Sequence, residues 1–128
     1  MIKISLLLIS IFSLLYGLVF SFAPYFFAEL TQAEPTNIAW LRNIGASICG
    51  VLFFGLLYVY RSPSKNYDLF MIITITSILQ TLGLIFSRFY NEFSAQNTLV
   101  IDFTIYSAIF VSLYLGYILL NYKSIFIK

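Results

Sequence analysis

The chain has 128 residues, 61% of them hydrophobic and 9% charged, with a mean hydropathy of +0.95 and a formal net charge of +2. Such a composition excludes a water-soluble domain of ordinary make-up, and a weak charge without a basic cluster excludes nucleic acid as a partner. A single cysteine, Cys49, excludes an intramolecular disulfide, and the absence of histidine removes the commonest metal ligand and general base.

Four apolar blocks can be drawn, at about 4–22, 38–60, 69–87 and 99–120. Each has the roughly 20 residues that a helix needs to cross ~30 Å of hydrocarbon. The expected fold is all-α: an integral membrane four-helix bundle, one membrane domain over residues 1–128. The first block, after Lys3, could be read as a signal peptide with a poor cleavage site at Ser21-Phe22-Ala23. Pro24 would hinder that cleavage and the run exceeds an ordinary signal core, so it reads as an uncleaved first span.

Between spans one and two, Pro24 suits the first turn of a helix. Phe26, Phe27, Leu30 and Ala33 share one arc, with Glu29 and Gln32 on another. This pattern predicts a short interfacial helix, stopped by Pro35, with Thr36 or Asn37 capping span two. A plain loop with aromatic anchors is the alternative.

Span two carries Arg42 about a turn inside its start. At 100° per residue, Arg42, Gly45, Ala46 and Cys49 fall in one arc, a small-residue face on which another helix can pack closely. Arg42 is therefore expected to face protein and to have a partner. Pro63 ends the span, in a turn that carries Arg61 and Lys65.

Span three sets Thr74, Ser77, Thr81 and Arg88 on one face, where hydroxyls bond their own helix or a neighbour. Gln80 is more unusual, because a primary amide near mid-membrane must find partners. Ser77, Gln80 and Thr81 are thus the candidate intramembrane polar residues. Asn97 is expected to cap span four, which carries Asp102 a turn in. Gly17–Ser21 (GLVFS) and Gly83–Ser87 (GLIFS) end spans one and three, as two tandem helical hairpins would require. Five residues of this composition also match by chance.

Four spans put both termini and the second loop on one side. Lys3, Arg61, Lys65, Lys123 and Lys128 lie there against Asp68, while Arg42 and Arg88 face Glu29, Glu34, Glu92 and Asp102 on the other. The positive-inside rule then makes both termini cytoplasmic. Arg42, Arg88 and Asp102 share a depth, with Trp40 and Glu29 at the same end, and form the candidate polar cluster. An Arg42–Asp102 or Arg88–Asp102 pair is expected, with the first preferred. It reads either as a structural clamp or as the floor of an outer-facing ligand pocket.

No acidic or basic residue lies near the middle of any span, which disfavours proton-coupled export. No catalytic, metal or cofactor motif is visible, so no cofactor and no independent enzyme activity are expected.

Arg42-Asn43-Ile44-Gly45, Gly50, Tyr60-Arg61, Phe22-Ala23-Pro24 and Leu82–Arg88 together resemble the DoxX-like group of small four-span bacterial membrane proteins, in an uncharacterised branch. The resemblance implies a bacterial inner-membrane location. It also implies an accessory role, since members of the group linked to quinone-dependent sulfur oxidation act as membrane subunits beside other proteins. The architecture is shared by sterol-isomerase-like and sigma-2-receptor-like proteins, an analogy only, because their acidic residues within the spans are not matched. Two functions follow as expectations: a non-catalytic accessory or scaffold subunit with a membrane protein partner, or a binder or carrier of a small lipophilic or weakly anionic molecule. The second would use a pocket between spans two, three and four.

Overall fold

Four long helices arise where the apolar blocks lie: Ile2–Phe22, Ile38–Arg61, Tyr67–Phe89 and Leu99–Leu120. The computed structural model describes residues 2–32, 38–93 and 95–126. The expected Pro35 stop, the Thr36 or Asn37 cap, and the positions of Ala33, Glu34 and Lys128 lie outside the described residues. Each long helix is 21 to 24 residues, enough to cross a bilayer. Large apolar side chains point outward all round, including Phe12, Leu79, Phe103, Phe110 and Leu120, each more than 60% exposed. Such a surface suits hydrocarbon and not water. The chain is an integral membrane protein with an all-α, four-helix fold.

Span one is α1 (Ile2–Phe22), followed by α2 (Pro24–Thr31). Pro24 occupies the first turn of α2 as its fixed φ favours, and Gln32 closes the helix in the left-handed conformation, its N–H on the Glu29 carbonyl. Pro24 and Thr31, seven residues apart, are the buried face of α2, and Phe27 packs edge-on against Phe20 of α1. Phe26 and Leu30 of the expected apolar arc are exposed.

Span two is not uniform: α3 (Ile38–Ser47) passes through a π-helical stretch, Ile48–Phe54, into α4 (Gly55–Arg61). Nothing in the 3.6-residue pattern announces this widening. One of its carbonyls, on Phe53, accepts a 2.9 Å hydrogen bond from Ser10 Oγ of span one, so the neighbouring helix helps to satisfy it. A short 3-10 turn, Pro63–Lys65, leads to span three, α5 (Tyr67–Phe89), and span four is α6 (Leu99–Leu120), with a final turn α7 (Tyr122–Phe126). Helix α5 outruns its hydropathy block at both ends. Asp68 sits in its first turn and Arg88 in its last, as the helix dipole favours.

Contacts are heaviest within each hairpin, span one on two and span three on four. Between hairpins, span two meets span three mainly through α4. Span one reaches span four through Tyr16 Oη and Thr104 Oγ1, 3.2 Å apart. The Asn97 N–H and side-chain amide donate to the carbonyls of Thr31 and Leu30, tying α2 to the start of span four. Asn97 Oδ1 also accepts the Leu99 N–H at 3.2 Å, a local turn contact, but the cap position of span four falls on Thr98, whose side chain makes no capping bond, so the expected Asn97 cap stands one residue early.

The apolar core lies at the end that carries the termini: Leu6, Leu56, Val59, Phe70, Ile73, Leu115, Ile118 and Tyr122. Tyr122 is 1% exposed, stacks among Tyr67, Phe70 and Phe126, and donates its hydroxyl to the Pro63 carbonyl. Burial pushes its hydroxyl up to about 12 from the ordinary 10.0. The protonated phenol is the form the fold prefers, so its stabilisation is complete below pH 10 and drains away as pH rises through 12. Tyr122→Phe should lower the thermal midpoint at pH 8, by the about 1 kcal/mol of one hydrogen bond. The gap between wild type and variant should shrink between pH 10 and 12. A gap independent of pH would reject this role.

Candidate functional site

The polar residues named from the sequence occupy two levels of the bundle. At the end opposite the termini, Arg88 Nε donates to Asp102 Oδ1 at 2.7 Å and Nη2 to Oδ2 at 3.3 Å, a two-pronged pair joining the end of span three to the start of span four. Both side chains are about one-third exposed, and theirs is the only ion pair among the described residues.

Arg42 is not part of it. The preferred Arg42–Asp102 pair is replaced by a 2.7 Å hydrogen bond from Arg42 Nη1 to the Ser21 carbonyl. The reason is the packing of α3. Gly45 is buried against α1, where a methyl group on it would lie 2.7 Å from both the Gly17 carbonyl oxygen and the Ser21 nitrogen. A methyl on Gly17 would in turn meet the Gly45 carbonyl at 2.9 Å and collide with Cys49 Sγ. The small-residue arc is thus spent on span one, and in an antiparallel pair the turn before Gly45 lies opposite the turn after Gly17. Arg42 ends beside Ser21, exposed on the bundle's flank, and Ala46 is exposed too. The same closeness leaves Ser21 Oγ buried without a hydrogen bond, 2.6 Å from where a Gly45 Cβ would stand.

Trp40 and Glu29 are exposed at this end and do not line the Arg88–Asp102 pair into a pocket. Two cavities, of about 400 Å3 and about 440 Å3, lie at the other end, beside Tyr122 and beside Arg61. Neither opens between spans two, three and four where the ligand pocket was expected.

At mid-membrane, Ser77 Oγ lies 2.9 Å from Ser112 Oγ, and Thr81 Oγ1 lies 2.8 Å from the same oxygen. Thr81 also approaches the Ser77 carbonyl at 2.9 Å and the Ala108 carbonyl at 3.2 Å, while Thr74 bonds back to Phe70. These hydroxyls are buried and partnered, and they hold span three on span four. Ser112 was not singled out from the sequence. The hairpin register could have found it: folding the chain back about its 91–97 turn sets Asp102 opposite Arg88 and Ser112 opposite Ser77.

Gln80 behaves differently. It takes part in no hydrogen bond among the described residues and is only partly buried. Seven residues from Ile73, it lies within ~20° of that residue's face. Ile73 packs on Gly55 of span two, but this contact fades toward the opposite end. Thr76, Gly83 and Ser87 continue the stripe; the hydroxyls of Thr76 and Ser87 also make no hydrogen bond among the described residues, and a methyl group on Gly83 would meet nothing within 4 Å.

Among the described residues no group of three or more potential ligands could hold a metal ion. Comparison with family models, with curated proteins and with solved structures finds no match to this chain.

Proposed function

We propose that the protein is a non-catalytic accessory subunit of a membrane assembly, packing a transmembrane helix of its partner against the outer half of span three. The observation that carries this is Gln80. Its position lies about 3 Å from the helix midpoint, by a rise of ~1.5 Å per residue, and its amide is left without a hydrogen-bond partner among the described residues. Hydrocarbon supplies no hydrogen bond, so a second protein helix is the natural source. The stripe beside it is shaped for close approach. Gly83 stands open where its counterpart in the first hairpin, Gly17, is covered by span two.

In keeping with this reading, the Arg88–Asp102 pair is a clamp between helix ends. The DoxX-like resemblance, a bacterial inner-membrane location and cytoplasmic termini belong to the same proposal, supported by residue pattern and by the basic residues at the terminal end.

Native mass spectrometry of the protein purified in mild detergent tests the proposal. Wild type should carry a second membrane protein, and Gln80→Leu should weaken that association. One intramembrane hydrogen bond is worth about 0.6–2 kcal/mol, or about threefold to thirtyfold. The variant's thermal midpoint should not fall. A homodimer mass would replace the accessory reading by self-association, and an unaccompanied wild-type chain would reject both.

A further inference from the structure

We infer that the cavity at the terminal end is a binding site for a phosphate ester, supplied by the headgroup of an anionic phospholipid. The cavity, of about 440 Å3, is lined by Lys3, Arg61 and Lys65 together with Ser62, Ser64 and Phe126. Its cations come from three separate elements: the first turn of α1, the last residue of span two and the 3-10 turn. An orientation signal needs only a surplus of basic residues on one side. It does not need three of them drawn into one cavity.

None of the three forms an ion pair among the described residues. The ion pair of the described residues is at the opposite end, and Asp68, an acidic side chain close by in sequence, does not line the cavity. The hydroxyls of Ser62 and Ser64 make no hydrogen bond among the described residues, so they add donors beside the cations. The walls are prebuilt, because the buried Tyr122 hydroxyl holds the Pro63 carbonyl and pins the turn against α7.

Depth selects lipid over a soluble anion. Lys3 and Arg61 stand at the ends of membrane-spanning helices, the level at which headgroup phosphates lie, and Ile125 and Phe126 give the cavity an apolar side for the glycerol and upper acyl chain. Arg61 offers a planar fork to phosphate oxygens, while the lysines act as point charges.

The test uses the full chain in phosphatidylcholine nanodiscs, titrated with phosphatidylglycerol or with inorganic phosphate. Bound lipid is read by native mass spectrometry, and the thermal midpoint is read in parallel. Phosphatidylglycerol should bind and raise the midpoint, with millimolar inorganic phosphate inert. Neutralising Lys3, Arg61 or Lys65 to Gln should each weaken the lipid about fivefold, and Lys123→Gln, outside the cavity, should not. The exposed Lys65→Gln keeps the test open if the others fold poorly, because its turn lies outside the spans. Equal binding by wild type and the Gln variants would overturn the inference. So would an equal midpoint shift with inorganic phosphate, which would make the site one for a free anion.

Discussion

Gly45→Val should be among the most damaging single substitutions in the protein. The new side chain cannot escape by rotating, because its first carbon already lies 2.7 Å from backbone atoms of Gly17 and Ser21. The helices themselves must separate. Overpacking of this kind costs about 1–3 kcal/mol when side chains can yield, and more when backbone is in the way. Separation also withdraws Arg42 from the Ser21 carbonyl and Ser10 from the Phe53 carbonyl, since both bonds span the same helix pair. Gly116→Ala is the matched control, for nothing stands within 4 Å of its added carbon, and alanine is favoured over glycine in a helix by ~1 kcal/mol. Thermal midpoints in one detergent should place Gly45→Val far below wild type and Gly116→Ala at or above it. Similar midpoints for the two would reject the close crossing.

Breaking the Arg88–Asp102 pair should do comparable harm for a different reason. Removing either partner strands a charge at the edge of the hydrocarbon, since neither pairs with any second ion among the described residues. Arg88→Ala and Asp102→Ala should each lower the midpoint, whereas the double variant should be no worse than the poorer single one. Arg88→Lys should restore only part of the loss, since a lysine cannot reproduce the two-pronged bond. Losses from Arg42→Ala and Asp102→Ala should simply add, because those residues do not share a bond. Additivity between Arg88 and Asp102 would reject the pairing.

These two contacts mark where sequence reasoning worked and where it stopped. Span positions were legible because length and hydropathy report on the solvent around a helix, and hydrocarbon is an unforgiving one. The ends were less so: α5 continues to Phe89 because hydrogen bonding carries the helix past Ser87, where the apolar block ends. Depth placed Arg42, Arg88 and Asp102 at one level, but depth leaves the direction around the bundle axis undetermined. Only hairpin register decides that, and it favours Arg88, which shares a hairpin with Asp102, over Arg42. The Gly45 face was visible as a face, while its occupant, span one, was not. The π-helical stretch Ile48–Phe54, where the Ser10 hydroxyl of span one meets the Phe53 carbonyl, left no trace in composition.

The core of Leu6, Leu56, Phe70, Leu115 and Tyr122 has a consequence for how the molecule yields. Its apolar burial is concentrated where the chain begins and ends, while the far end is fastened by discrete polar links such as Arg88 to Asp102 and Asn97 to Leu30. Separating such links one at a time takes less free energy than dissolving a packed cluster, so the opening free energies of backbone amides should rise along every span from the far end toward the termini. The bundle would then breathe like a clothes-peg, sprung at the Tyr122 end. The jaws would part between spans two and three, on the side where Gln80 waits.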